Sequence, residues 1–225
     1  MVSQKSTPVN FANHLGNLPL RHALLCAFLL VAVPAGAMPA GAAPLEPAVA
    51  RMLESLLLPV PDPPKVLICH GFGCNFRTEV GFGASDRARL QGLMAGGSAS
   101  PAAERKGIGA AYAWFEKRVA PAAGTAKAIA RTSPRYMRDP SQFDCFDKTH
   151  NATELLALLA HFGLLRHHVI DAPESRGLLI NLRTIHSTAV IQEKASGRRW
   201  SVDGWTRNNG EVPDIFPIEE WAKMD

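Results

Sequence analysis

One stretch of this chain, residues 142–168, constrains the fold more than any other. Apolar residues recur there every three or four positions, which predicts a helix with one broad buried face. They are Leu155, Leu156, Leu158, Leu159, Phe162 and Leu165. Polar residues precede them, so Cys145 is predicted to lie at or just before the first helical turn. Unpaired N–H groups and the positive end of the helix dipole favour the thiolate, the nucleophilic form of cysteine, at such a position.

Residues 1–43 are typical of an export signal. Two basic residues come first, residues 23–33 form an uninterrupted apolar run, and small residues follow. Cleavage is expected after Ala37 or Ala42, each of which ends an A-x-A pattern. The run is shorter than the roughly 20 residues of a membrane span. The sequence therefore predicts an exported protein, periplasmic or secreted, with no stable membrane span after signal removal; a retained anchor or a buried helix is the alternative.

Removal of such a signal leaves three cysteines, Cys69, Cys74 and Cys145. An odd number in an oxidising compartment indicates one disulfide and one free thiol. Two glycines between Cys69 and Cys74 allow a tight loop, so these two are the predicted disulfide and Cys145 is the free thiol. A metal site that includes His70 is the competing interpretation, but no second ligand pair follows at zinc spacing. The sequence predicts neither a metal nor a cofactor.

The chain after the signal is predicted to fold as a proline-rich linker with a short helix (44–64) and one domain (65–225). The predicted elements are a short helix at 49–58, a strand at 65–69, a helix at 85–94 capped by Ser85, a helix capped by Ser100 and ended by Pro121, the helix that starts near Cys145, and strands at 177–182, 186–193 and 198–205. This pattern predicts an α+β fold, in which the cysteine-bearing helix packs on a small antiparallel sheet.

The turn between the last two predicted strands sets the register of their hairpin. If residues 195–196 form a two-residue loop, Glu193 faces Arg198. His186 and Asp203 are then diagonal neighbours on one face, within side-chain reach. A three-residue loop would place them on opposite faces unless a bulge corrected the register.

Cys145, His186 and Asp203 are the residue types that nucleophilic catalysis by a thiol requires. The thiol needs a base to take its proton, and the base needs an acceptor that fixes its tautomer. His150 is an alternative base, although a solvated residue in the first helical turn is the more ordinary interpretation. Gln142 is a candidate oxyanion donor, because a side-chain amide stabilises developing negative charge.

The order and spacing of these residues resemble the transglutaminase-like superfamily, whose members are related to papain-like cysteine peptidases. The motifs that carry the resemblance are Asp144-Cys145, His186 followed by Ala189-Val190, and Val202-Asp203 with Trp205, and they cover about residues 142–221. The chain is also similar to exported bacterial proteins with this arrangement. The resemblance implies a transglutaminase-like core and a triad of Cys145, His186 and Asp203. It implies a peptidase or amidase, or a transamidase, that acts on protein or peptide amides.

The charge of the chain gives no argument for a nucleic-acid partner. Residues 1–43 contain two basic residues and no acidic one, so the remainder holds 22 basic and 20 acidic residues. No basic stripe interleaved with aromatic residues is present. The partner that the resemblance implies is a protein or peptide substrate. An exported binding or scaffold protein that keeps the fold without turnover is the competing hypothesis.

Overall fold

The computed structural model describes residues 45, 47–55, 57–177 and 185–224. Within these residues the helices are α1 (Pro47–Ser55), α2 (Ala84–Met94), α3 (Pro101–Ala123), α4 (Cys145–His161) and α5 (Ile218–Trp221). The strands are β1 (Lys65–His70), β2 (Phe76–Gly81), β3 (His168–Arg176), β4 (His186–Glu193) and β5 (Arg199–Val202). The export signal expected in residues 1–43 lies outside the described residues. None of the described helices is both long and apolar enough to cross a bilayer.

The strands form two antiparallel sheets, so the described chain has the α+β architecture that the sequence predicts. β1 pairs with β2, from Lys65 opposite Gly81 to His70 opposite Phe76. The second sheet has the order β3-β4-β5. β1 and β4 are found where the sequence predicts strands, whereas β2 and β3 were not predicted. The strand expected at 177–182 lies, apart from its first residue, outside the described residues.

The β4–β5 hairpin has the predicted register. The N–H of Glu193 donates to the carbonyl oxygen of Arg198 at 2.8 Å, and Ala189 lies opposite Val202. The N–H of Gly197 donates back to the carbonyl oxygen of Glu193 at 2.8 Å, which closes the turn. β5 itself is shorter than expected, since ladder pairing ends at Val202 and Asp203 continues in a bridge to another segment.

The long helix α3 begins as predicted but ends later. The Ser100 hydroxyl accepts a hydrogen bond from the N–H of Ala103 at 3.1 Å, and a proline occupies the first helical position. The prediction that Pro121 ends the helix is wrong, because the helix continues to Ala123. Gly124 ends it in the left-handed conformation, with φ of 73°.

α4 lies at the centre of the described fold and packs against both β1 and β4. The leucines of its apolar repeat within the helix are fully buried. Its polar residues are buried as well. The side-chain amide of Asn151 bonds both the N–H and the carbonyl oxygen of Cys69, at 2.8 and 2.9 Å. His150 Nε2 lies 2.9 Å from the carbonyl oxygen of Leu67. These side chains satisfy backbone groups of β1 that a neighbouring strand would otherwise bond.

Candidate active site

Cys145 is the first residue of α4, as the sequence predicts. Asp144 caps the helix, since its carboxylate accepts from the N–H of Asp147 at 2.8 Å. Cys145 is a free, buried thiol that is 8% exposed. Its Sγ lies 3.9 Å from the carbonyl oxygen of Ile185, the residue that precedes His186. The helix start therefore brings the thiol to the residue that directly precedes β4.

His186 and Asp203 are in direct contact. His186 Nε2 lies 2.6 Å from Asp203 Oδ2, and both side chains are almost fully buried. The contact follows from the hairpin register, which places the two residues diagonally on one face. The structure therefore brings together the histidine and the aspartate that the sequence singles out, with the cysteine at the start of the same strand.

The contact with Asp203 fixes the tautomer of His186. Asp203 Oδ2 also accepts the indole N–H of Trp221 at 2.8 Å. This oxygen is thus an acceptor, so His186 Nε2 carries the proton and donates it. The lone pair of the imidazole is left on Nδ1. That nitrogen is buried and has no hydrogen-bond partner among the described residues.

Two tryptophan rings pack against the imidazole of His186. The ring centroid of Trp205 lies 4.7 Å from that of His186, and the centroid of Trp221 lies 5.5 Å away. The backbone N–H of Trp205 also donates to Asp203 Oδ1 at 3.1 Å. The sequence motifs include Trp205 but not Trp221, because Trp221 lies in a short helix far along the chain that shows no periodic pattern. The two rings keep water from the contact between His186 and Asp203.

Burial sets the protonation state of Cys145 in the resting protein. Desolvation raises the pKa of the thiol to about 12, although the N–H of Ser187 opposes this shift. The charges of Asp144 and Asp203 raise the pKa further. The expectation that the helix N-terminus makes Cys145 a resting thiolate is therefore wrong, because burial outweighs the helix dipole.

Cys69 and Cys74 form the predicted disulfide, with Cα atoms 4.5 Å apart. The loop between them is tight, because four successive residues, 71–74, have φ between 58° and 78°. Two of these four residues are glycines, which adopt positive φ without steric cost.

The disulfide loop covers the N-terminus of α4. The N–H groups of residues 72–74 donate to the carboxylates of Asp144 and Asp147 at 2.7–2.8 Å. Burial, followed by the charge of Asp144, raises the pKa of Asp147 to about 7. Burial also raises the pKa of Asp144. The loop is thus joined to the two acidic residues that flank Cys145 in the first helical turn.

The side chain of Gln142 is held by neighbouring residues. Its Oε1 accepts from the N–H of Ile129 at 3.1 Å and lies 3.5 Å from the Thr132 hydroxyl. Its Nε2 lies 3.3 Å from Ser141 Oγ. These contacts favour a structural role, and the oxyanion role of Gln142 stays a prediction.

A buried ion pair supports the segment that follows Asp203. Lys148 in α4 bonds Glu116 in α3, and both side chains are at most 5% exposed. Glu116 also accepts from the hydroxyl of Tyr112 at 2.8 Å and from the N–H of Gly210 at 2.7 Å. A Cβ atom at Gly204 would lie 1.8 Å from the Tyr112 hydroxyl oxygen, so only glycine fits there. No sequence pattern predicts this network, because it joins residues that are distant in the chain.

His150 is not placed as a second base. It is fully buried, whereas the sequence favoured a solvated residue in the first helical turn. Its Nε2 contacts the β1 backbone and lies 3.3 Å from Glu154 Oε1. It therefore holds β1 against α4.

A cavity of about 610 Å³ lies away from these residues. Its lining includes Ala157, Ala160 and His161 at the C-terminal end of α4. α4 has 17 residues, so at a rise of about 1.5 Å per residue Cys145 lies about 24 Å from this end. The cavity is thus separate from the candidate active site. Over the described residues, no group of three or more His, Cys, Asp or Glu side chains is arranged to hold a metal ion.

Comparison with known proteins gives no match to a family model, to a curated protein or to a solved structure.

Proposed function

We propose that this protein is an exported, cysteine-dependent acyl-transfer enzyme with a transglutaminase-like core, acting on protein or peptide amides through Cys145, His186 and Asp203. One observation carries the proposal. His186 is held at Nε2 by Asp203, and its Nδ1 lone pair is buried without a partner among the described residues, on a strand whose first residues lie beside the Cys145 thiol. A buried nitrogen without a hydrogen-bond partner lowers the stability of the fold, so its presence favours a functional role.

The proposed reaction uses this lone pair twice. His186 Nδ1 takes the thiol proton while Cys145 Sγ bonds the amide carbon, and the carbonyl electron pair moves to the oxygen. The oxyanion then collapses, the C–N bond breaks, and Nδ1–H gives its proton to the leaving amine. The acyl group remains on Cys145 as a thioester. Water or an amine attacks the thioester, its proton passes through Nδ1, and Cys145 leaves as the thiol.

The backbone N–H of Cys145 is the donor that we assign to the oxyanion. The first N–H groups of a helix have no intrahelical partner, and this N–H lies close enough to Sγ to lower its pKa. A carbonyl carbon bonded to Sγ would bring its oxygen to the same helix end, where the positive pole of the dipole lies.

The raised pKa of Cys145 makes the base essential. A thiol with a pKa of about 12 is ionised to only about one part in 10⁵ at pH 7. Such a thiol reacts slowly unless a neighbouring base removes its proton during attack. Proton transfer to His186 therefore accompanies attack by the protonated thiol, and Asp203 stabilises the imidazolium that forms during the reaction.

Acetylation by p-nitrophenyl acetate tests this function without knowledge of the natural substrate. Cys145 attacks the ester carbon, p-nitrophenolate leaves, and a thioester remains. We expect mass spectrometry to find one acetyl group, on Cys145, with continued release of p-nitrophenolate as water hydrolyses the thioester. His186→Gln should abolish acetylation and Asp203→Asn should slow it strongly, while both proteins keep the parent far-ultraviolet circular dichroism.

The same assay separates hydrolysis from transamidation. Glycine amide added to the acetylated protein gives N-acetylglycine amide if the amine competes with water. Acetate as the sole product favours a peptidase or amidase. N-acetylglycine amide as the main product favours a transamidase.

The burial of Cys145 favours a second candidate function, an exported binding or scaffold protein without turnover. That hypothesis predicts that p-nitrophenyl acetate leaves Cys145 unmodified in the folded parent protein. The disulfide between Cys69 and Cys74 supports export in either case, because such bonds persist in oxidising compartments.

A further inference from the structure

We propose that the candidate active site accepts acidic peptide segments, a substrate class that rests on the acyl-transfer function proposed above. Four cationic side chains form what we call the cationic rim: Lys127, Arg131, Arg135 and Arg138. All four are exposed. Lys127, Arg131 and Arg138 have no acidic partner among the described residues, and Arg135 lies over the ring of Tyr136.

The rim is joined to the His186 side of the site through Arg131. The N–H of Arg131 donates to the carbonyl oxygen of Trp205 at 2.8 Å. The ring of Trp205 packs against the imidazole of His186, with centroids 4.7 Å apart. One residue, Trp205, therefore lies between the backbone of Arg131 and the proposed base, His186.

The rim is joined to the Cys145 side through Arg138. The N–H of Arg138 donates to the carbonyl oxygen of Gly71 at 3.3 Å. The N–H of Gly71 in turn donates to the carbonyl oxygen of Gln142 at 2.8 Å. Gln142 lies three residues before Cys145. The backbone of Arg131 is thus joined to a residue that packs against His186, and the backbone of Arg138 is joined to the segment that precedes Cys145.

The positive charge of the rim is local. Residues 125–141 contain four cationic residues and one acidic residue, Asp139, whereas residues 44–225 are nearly balanced. The Asp139 carboxylate accepts from the N–H and the hydroxyl of Ser141, at 2.9 and 2.7 Å. Arg207, in the segment after Trp205, is paired with Asp214. The cations of the rim are therefore left for a ligand.

The backbone at the two arginines supports a role for their side chains. Arg131 has φ of 49° and Arg138 has φ of 69°. Glycine or asparagine adopts this left-handed conformation at lower cost than arginine does. An arginine at both positions is costly for folding, which favours a use for each guanidinium.

Apolar side chains beside the rim favour a polypeptide over a simple anion or a nucleic acid. Ile129 is 43% exposed, Met137 is 62% exposed, and Ile185, whose carbonyl oxygen contacts Cys145, is 42% exposed. Cations interleaved with aliphatic side chains fit a peptide that carries both carboxylates and apolar groups.

Charge-selective alkylation of Cys145 tests the rim. Iodoacetate and iodoacetamide have nearly the same size and react with the same thiolate, so the ratio of their rates does not depend on the pKa of Cys145. A cationic rim concentrates the anionic reagent. For scale, two unit charges at about 10 Å from a reacting anion in water change its reaction rate by about 4-fold. We expect Arg131→Gln/Arg138→Gln to lower the iodoacetate-to-iodoacetamide ratio by that factor at low salt, and salt of about 0.5 M to remove the difference.

A matched pair of substitutions controls for net charge. Arg51→Gln/Arg166→Gln removes two exposed arginines near the far end of α4, where α1 borders the cavity and Arg166 follows the helix. This control should keep the parent ratio. An equal ratio in the parent and both double variants overturns the proposal.

Direct binding gives a second test that needs no labelling. Isothermal titration should show that tetraglutamate binds the parent protein and that tetraglutamine binds it at least 10-fold more weakly, with the preference lost in Arg131→Gln/Arg138→Gln. Equal affinity for the two peptides overturns the acidic class. Acetylation of Cys145 without charge selectivity would support the proposed acyl-transfer function and refute the role of the rim. Charge selectivity without acetylation would indicate a surface that binds acidic ligands and would refute turnover.

Discussion

Replacement of Trp221 by phenylalanine should measure how much the hydrogen bond from Trp221 to Asp203 contributes to the free energy of unfolding. The indole N–H donates to Asp203 Oδ2 at 2.8 Å, the oxygen that also accepts from His186 at 2.6 Å. Trp221→Phe keeps an aromatic ring but removes this donor. A hydrogen bond to a charged acceptor contributes about 1.5–3 kcal/mol. The smaller ring leaves a buried gap that costs about 1 kcal/mol. The free energy of unfolding should fall by about 3 kcal/mol.

Trp205→Phe is the matched control. Trp205 also packs against His186, but its indole N–H is buried without an acceptor among the described residues. This substitution removes ring volume without removing a hydrogen bond. The difference between the two variants, about 2 kcal/mol, should therefore report the bond from Trp221 to Asp203.

Urea denaturation followed by circular dichroism is the assay, because it does not depend on tryptophan fluorescence. Acetylation of Cys145 should also slow by about 10-fold in Trp221→Phe, since Asp203 loses one of the donors that orient it. Equal destabilisation by Trp221→Phe and Trp205→Phe would show that the hydrogen bond from Trp221 to Asp203 does not stabilise the fold. A parent-like acetylation rate in Trp221→Phe would show that the same bond does not orient Asp203.

Three further experiments test the buried groups around the site. Asp147 has its pKa raised by burial from 3.8 to about 7, so the folded state keeps a proton that the unfolded chain releases. The free energy of unfolding should fall as pH rises from about 4 to 7, and Asp147→Asn should flatten this slope in urea denaturation. Lys148→Met leaves Glu116 buried without its cation, which should cost about 3–5 kcal/mol, partly restored by Glu116→Gln. Gly204→Ala would place a Cβ 1.8 Å from the Tyr112 hydroxyl oxygen and should cost about 3 kcal/mol by thermal unfolding, and a loss below about 0.5 kcal/mol would contradict the contact.

Local sequence signals predicted the parts of the candidate site that depend on short-range structure. The change from polar to apolar residues placed Cys145 at the start of α4. The turn at residues 194–197 fixed the β4–β5 register, and that register brings His186 to Asp203. The disulfide between Cys69 and Cys74 was also predictable, because the two cysteines are close in the chain and glycines lie between them.

Long-range packing decided what the sequence could not show. Trp221 reaches Asp203 from 18 residues further along the chain. β3 carries a proline and several charged residues, so it lacks the alternation that marks a half-buried strand. The pKa of Cys145 also depends on packing, because the helix position is local information whereas burial is not. Burial raises the pKa of Cys145, whereas the helix position alone predicts a lowered pKa.

The labelling rate of Cys145 against pH tests the central claim, that His186 is the base for this thiol. The parent protein, His186→Gln and Ser187→Ala are treated with iodoacetamide from pH 6 to 11. Without the base, a thiol with a pKa of about 12 should react about 10-fold faster for each pH unit. We expect the parent and Ser187→Ala to react at least about 100-fold faster than His186→Gln at pH 7, with a shallow dependence on pH. Identical rates and slopes in the parent and His186→Gln would contradict the claim that His186 is the base.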